Sequence, residues 1–504
     1  MRILCFMLIC AALMNVLPAS AEDKADYASD FSAGTDGWYP RSMGGASLDV
    51  TEDGALWITG RSADWHSPGR DFPLAAGESY RLRVLVRQNE LNEARMVLSV
   101  AHSKAGVESY ENLAFASAKR GEWTELAASY VAGAFERFVL YVETLGAPKL
   151  DFEIKEFTLE GKTLSLNQAD LPSLKEAYAS YFPFGTAVTY MEAINRTRMD
   201  FYASQFNIFT PGNELKPDSV LDVPACQKLA AEDETAVAVH LFAAKPMLDY
   251  AREKGIPVHG HVLVWHNQTP EAFFHEGYQP ARPLVSREVM LARLENYIKA
   301  VFEATETQYP GLIVSWDVVN EAVDDGRPTL RDSRWKTVIG EDYVERAFEF
   351  ARKHAPEGVK LYYNDYNTAY EPKQTGIVDL LKKLQAAGTV DGYGFQMHHD
   401  ISQPGYSAIE KAFRRIAALG LRLRISELDV TIPDQSEASL EAQAKLYGQV
   451  MKLAVSFADQ VEGVQVWGVT DDLSWRAKQF PLLFDAAFTP KPAFRAVLEA
   501  AGQE

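Results

Sequence analysis

Cysteine is nearly absent from this chain: three residues in 504, at Cys5, Cys10 and Cys226. The first two lie in an apolar leader, so Cys226 is the only thiol of the remaining chain and no intramolecular disulfide can brace it. The fold must therefore rest on its core, and a hydrophobic content of 47% is ordinary for a globular protein. Long apolar runs are equally scarce. Past the leader, no stretch approaches the roughly 20 apolar residues of a membrane span. Basic residues are outnumbered, 50 Lys and Arg against 69 Asp and Glu, for a formal net charge of −19. That balance argues against nucleic acid or an anionic membrane surface as partner, and leaves a neutral polymer compatible.

The leader, "MRILCFMLICAALMNVLPASAED", has one Arg, an apolar stretch and a small-residue A-S-A end. This is the layout of a secretory signal cut after Ala21, so residues 1–21 are expected to be removed and the protein secreted, extracellular or periplasmic.

Two regions with different periodicity follow. Residues 22–160 read as short alternating strands: "YRLRVLVRQ" places Tyr80, Leu82, Val84 and Val86 on one face, and "RMVLSVAH", "RFVLYVET" and "LDFEIKEFTL" repeat the pattern. Many short strands at this spacing predict an all-β sandwich. Residues 161–173 are polar and aperiodic, a connector. Over 174–504 apolar runs alternate with amphipathic helical stretches such as "VMLARLENYIKAVFEAT" and "YVERAFEFARKH", which implies parallel strands with crossover helices. Eight strand candidates fit one α/β (β/α)₈ TIM barrel: "FPFGTAV", "FNIFTPGNE", "PVHGHVLVW", "VSWDVVNEA", "VKLYYNDYN", "GYGFQMHH", "LRLRISELDV" and "GVQVWGVTD".

Most of these runs begin apolar and end polar or aromatic. Barrel active sites are built at the C-terminal ends of the strands, so those ends are where chemistry is expected. "WDVVNEA" puts Asn320 and Glu321 at the fourth strand's mouth. "ISELDV" puts Glu427 and Asp429, two apart and on one face, on the seventh. Two carboxylates flanking a cleft are the minimal apparatus for glycoside hydrolysis, one as proton donor and one as anionic nucleophile. Around them stand Gln396 and His398 from "GFQMHHD", His261, Trp265 and Gln268 from "HGHVLVWHNQ", and Trp467 and Trp475 from "VWGVTDDLSWR". A single Trp is more often core than sugar platform. Gathered at successive strand ends, these indoles suit sugar rings, and the amides and imidazoles suit hydroxyls.

In those motifs and their order, residues from about 170 to 500 resemble a glycoside hydrolase family 10 catalytic domain, the family of retaining endo-β-1,4-xylanases. The resemblance implies Glu321 as acid/base, Glu427 as nucleophile and Asn320 as partner of the sugar 2-hydroxyl. It implies His398 and Asp429 as supports of the nucleophile. "NELK", "GHVLVWH", "NDY" and the tryptophans match its glycone-side pocket through Asn213, Lys216, His261, Trp265, Gln268, Gln396, Trp467 and Trp475, with Tyr366 towards the leaving group. It calls for no metal and no cofactor. The partners it implies are xylan and xylo-oligosaccharides, acted on by a monomer. One departure stands out: in many relatives the second-strand motif reads Glu-Asn, and that Glu bonds a sugar two sites from the cleavage point. Here Gly212 holds the place, with Glu214 offset by two, which predicts a weaker distal glycone subsite.

The front region, through "LWITGRSADWHSPGRDF" and "GESYRLRVLV", resembles carbohydrate-binding module family 22, and the resemblance points to Arg41, Trp65, Tyr110 and Glu143 as a ligand surface. Packing of Trp65 in the sandwich core is the competing expectation. As a binding module it should be separable from the barrel's activity on short substrates.

Three other readings stand against xylan hydrolysis. His259 and His261 form an H-x-H pair that, with His398 and Asp429, offers zinc-ligand types as in metal-dependent amidohydrolases. Such pairs usually end the first strand, whereas this one ends the third. A decayed, non-catalytic glycan binder should have lost one glutamate, and both are present. A different β-glucan is the third, since a fold does not fix its substrate.

Overall fold

The computed structural model describes residues 27–502, apart from positions 33, 43–44, 75–77, 105–106, 134, 136, 162–170, 195 and 487. The expected leader and most of the expected connector lie outside the described residues.

The front region is two antiparallel sheets face to face. A six-stranded sheet holds Ser79–Gln88, Thr124–Val131 and Phe152–Glu160. A five-stranded sheet runs in the order Tyr39–Pro40, Pro68–Asp71, Arg137–Thr144, Glu93–Lys104, Val107–Lys119. The period-2 pattern explains the pairing. Tyr80, Leu82, Val84 and Val86 meet Met96, Leu98, Val100, Leu140 and Val142 in one buried cluster, while the residues between them face outward.

The rest is a closed parallel barrel. Its strands are β1 (Phe184–Val188), β2 (Ile208–Pro211), β3 (Val258–Gly260), β4 (Ile313–Asn320), β5 (Lys360–Asp365), β6 (Gly392–Phe395), β7 (Arg422–Thr431) and β8 (Val461–Val466). Each pairs with the next, and β8 closes the ring on β1. All eight strand runs of the sequence are found. Local chemistry sets the outer helices: Ser286 caps Arg287–Gln308 by accepting from Val289 N–H, and Gly255, at φ 66°, ends Lys245–Lys254 in the left-handed region. Among the described residues no helix is long and apolar enough to cross a membrane.

The two regions are not merely tethered. Tyr39, Ala101, Val139 and Tyr141, on the outer face of the five-stranded sheet, bury themselves against Met191 and Ile194 of the barrel. Beside this contact Arg198 donates to Asp71 at 3.1 Å, and Asp71 also accepts from Arg137 at 2.7 Å and from the Tyr39 hydroxyl. Burial alone would raise the Asp71 pKa, but the two guanidiniums hold it well below the usual carboxylate range. One face of the sandwich is thus part of the barrel's packing.

Candidate active site

Asn320 is the last residue of β4, and Glu321 turns off the strand with φ of 55°. Gln268, Asn367 and Met397, also at the barrel mouth, share this left-handed conformation, which costs a side-chain-bearing residue about 1–3 kcal/mol. Of these, Glu321 and Gln268 turn their side chains to a common cleft of about 690 Å³.

The Glu321 carboxylate accepts from Trp265 Nε1 at 2.9 Å and from Gln396 Nε2 at 3.0 Å. The same Gln396 amide donates to Asn320 Oδ1 at 3.0 Å. Asn364 Nδ2 also donates to Asn320 Oδ1, at 3.0 Å, and to Glu427 Oε1 at 2.6 Å. A continuous string of amides thus links the two glutamates across the cleft floor. Asn320, buried and costly if unpaired, takes part through Oδ1, which accepts both amides.

On its other side Glu427 Oε2 meets His398 Nε2 at 3.1 Å, and His398 Nδ1 meets Asp429 Oδ2 at 2.8 Å. Burial would lower the imidazole pKa. The charges and hydrogen bonds of Asp429 and Glu427 overcome that and raise it to about 10. His398 is therefore a cation at neutral pH, donating from both ring nitrogens. Asp429 is fixed in turn by Trp475 Nε1 at 3.0 Å and Arg476 at 2.7 Å.

At one end of the cleft Lys216 Nζ donates to Asn213 at 2.8 Å and Gln268 at 3.0 Å, and lies 4.8 Å from the Trp265 ring centre. Burial lowers its pKa, opposed by the charge of Glu427. Thr189, Glu192 and Gly212 complete that end. His261 donates through Nδ1 to Asp317, 2.9 Å away, and presents its ring edge-on to Trp467. Trp475 is 66% exposed at the rim. Tyr366 sits at the cleft wall, its hydroxyl shared between Asp325 and Arg331.

All fourteen barrel residues singled out from sequence are in or directly behind this cleft. Missed were Asn364, Ser426, Arg476 and Glu192. Asn364 ends the "YYN" run as Asn320 ends its own strand, a signal that was legible; the other three are brought in only by packing. His259 is different. It is bonded to Ser315 and Asp317 behind the cleft and does not line it, so the H-x-H pair does not present two imidazoles to one ligand. Glu214, whose orientation sequence leaves open, is turned away: its carboxylate accepts from the backbone N–H groups of Tyr190 at 2.6 Å and Asn213 at 2.8 Å. Gly212 is not in the left-handed region, so its place is not explained by backbone conformation.

On the module, Arg41 lies over Tyr141 at 3.5 Å, with the Tyr110 ring at 5.8 Å, and Glu143 accepts from Ser99 Oγ at 2.9 Å. Trp65 is 62% exposed on the loop entering Pro68–Asp71, so it is not a core residue.

A closed (β/α)₈ barrel whose mouth sets two carboxylates among indoles, amides and a lysine defines a glycoside hydrolase. The family model for glycosyl hydrolase family 10 matches residues 173–500, and the chain belongs to that family. A carbohydrate binding domain model matches residues 26–149. The bifunctional endo-1,4-beta-xylanase XylA of Ruminococcus flavefaciens is 39% identical over 334 residues, 65% of this chain and 34% of that protein. Endo-1,4-beta-xylanase A of Thermotoga neapolitana is 32% identical over 513 residues, 95% of this chain and 47% of that protein. The chain thus spans between a third and a half of the length of these curated relatives. The CBM22-1–GH10 modules of Clostridium thermocellum endo-1,4-beta-D-xylanase 10B, solved with xylohexaose, superpose with a TM-score of 0.60 at 30% identity, covering 94% of this chain and 95% of that one.

Proposed function

We propose that this protein hydrolyses internal β-1,4-xylosidic bonds of xylan with retention at the anomeric carbon. The observation that carries the reading is the amide string from Glu321 through Gln396, Asn320 and Asn364 to Glu427, with protonated His398 behind Glu427. The Glu427 carboxylate attacks the anomeric carbon while Glu321 delivers a proton to the departing oxygen, and Glu427 becomes a glycosyl ester. Its negative charge is then gone, which eases ionisation of Glu321 and fits it to deprotonate the incoming water. In this reading Asn320, between the two, is the partner of the sugar 2-hydroxyl. Relatives named as xylanases and the neighbour solved with xylohexaose support xylan as the polymer.

Incubation with an activated 2-fluoro xylobioside followed by peptide mass mapping is the test. An adduct on Glu427 is expected. Labelling of Glu321, or turnover on cellulose in preference to xylan, overturns the reading. We propose further that the leader is cleaved after Ala21 on export, which N-terminal sequencing of the protein from a cell fractionation checks.

A further inference from the structure

The outer face of the five-stranded sheet is divided in two by the barrel. Strand register sets its rows: Asp71, Val139, Ala101 and Tyr110 lie side by side, and Gly69, Tyr141, Ser99 and Asn112 form the next row. A third row carries Glu143, Val97 and Phe115. Barrel residues Met191 and Ile194 cover Val139, Ala101 and one side of Tyr141. Beyond them Ser99 and Val97 are buried beneath their neighbours, and the strip is open at Tyr110, 60% exposed, and Phe115, 48% exposed.

The covering ledge is one short helix, Tyr190–Ala193, about 6 Å long, and its Glu192 and the preceding Thr189 line the catalytic cleft. Module strip and cleft are therefore opposite sides of a single helical turn. A second bridge fixes their relation. Arg198 of the barrel donates to Asp71 of the sandwich at 3.1 Å.

We propose that the open strip of the module continues the catalytic cleft, taking the far end of the same neutral β-1,4-linked pentose chain that passes between Glu321 and Glu427. This rests on the xylan reading above. The strip has the chemistry for such a ligand. Gly69 lacks the side chain that would collide with the Arg41 stem at 2.6 Å, so Arg41 lies flat on Tyr141 and keeps donors at the surface. Ser99 bonds both Asn112 and Glu143, presenting an amide and a carboxyl beside the aromatic rings of Tyr110 and Phe115. A free-standing anchor would keep its whole sheet face open and reorient on its linker. Here the face is half buried and its direction is set by a buried ion pair.

A rigid extension contributes binding only to chains long enough to reach it. The test uses the full chain with Phe115→Ala and, separately, Asn112→Ala, assayed for kcat/KM on linear xylo-oligosaccharides of increasing length and on soluble xylan. The expected result is a length-dependent defect, at least tenfold larger on long chains than on xylotriose and setting in at one chain length. A defect equal at all lengths, or none on long soluble chains with weaker retention on insoluble xylan, overturns the proposal. Wild-type enzyme that cleaves no xylo-oligosaccharide overturns the xylan reading instead.

Discussion

His398 stands between Asp429 and Glu427 with its side chain 14% exposed, and its pKa of about 10 is well above the ordinary imidazole value of 6.5. A group whose folded pKa is raised contributes stability in full below its unfolded pKa and loses it as pH climbs through the folded one. The contribution of His398 is thus complete below about pH 6.5 and fades towards pH 10. His398→Asn should cost about 3–5 kcal/mol near pH 6, as for removal of one partner of a buried ion pair, and progressively less at higher pH. Denaturant melts of both proteins at pH 6 and pH 9.5 check this; a pH-independent difference contradicts it. Gly212 is a second residue-scale case. A Cβ there would come 3.3 Å from the Thr189 methyl, a contact relieved by a small shift, and Glu214 is committed to backbone N–H groups. Gly212→Glu should therefore supply a missing charge-assisted hydrogen bond of roughly 1.5–3 kcal/mol, lowering KM for aryl xylobiosides about tenfold or more. An unaltered KM would show that the distal subsite already has its partner.

Strand β6 contributes a gap as well as side chains. Gly394 lies where a Cβ would sit 2.3 Å from Asn364 Oδ1 and 3.3 Å from Ser426 Oγ. Ser426 donates to Asn364 at 2.6 Å, so the bond from β7 to β5 crosses β6 over that glycine. Asn364 is thereby aimed at Glu427 and Asn320. Gly394→Ala should push it aside and lower kcat by roughly 10²-fold, the usual cost of misplacing a reacting group by about 1 Å, with a smaller change in KM. Gly405→Ala, where a Cβ meets nothing within 4 Å, is the control. Equal kinetics for the two variants would remove Asn364 from the argument. Gly260 plays a comparable part lower in the barrel, where a Cβ would strike the Trp316 ring at 2.2 Å.

For the whole molecule, the sandwich and the barrel share apolar surface and an ion pair. Removing residues 22–160 exposes Met191 and Ile194 and takes Asp71 from Arg198. The isolated barrel should melt roughly 5 °C or more below the full chain, with Asp71→Asn in the full chain reproducing part of the loss. Calorimetry of the three proteins decides it, and an unshifted barrel transition would mean the contact contributes nothing.

Much of this protein is legible without coordinates because it is encoded locally. Period-2 alternation within the front region and apolar runs between amphipathic helices are short-range patterns, and they are enough for a sandwich followed by a barrel. Glu321, Asn320, Glu427 and His398 could be picked out because strand ends in such a barrel converge on one mouth, so position along the chain stands for position in space. What remained for the tertiary structure is whatever depends on atoms distant in sequence meeting at a particular angle. Asn364 works because Ser426 reaches it across Gly394, and Arg476 because it closes on Asp429. Glu214 faces backbone rather than sugar because the Tyr190 N–H is there to bind it. The seat of the module on Met191 and Ile194 has no local signature at all. Two ordinary apolar residues became an interface only when both folds had formed, since burial is a property of the pair and not of either sequence.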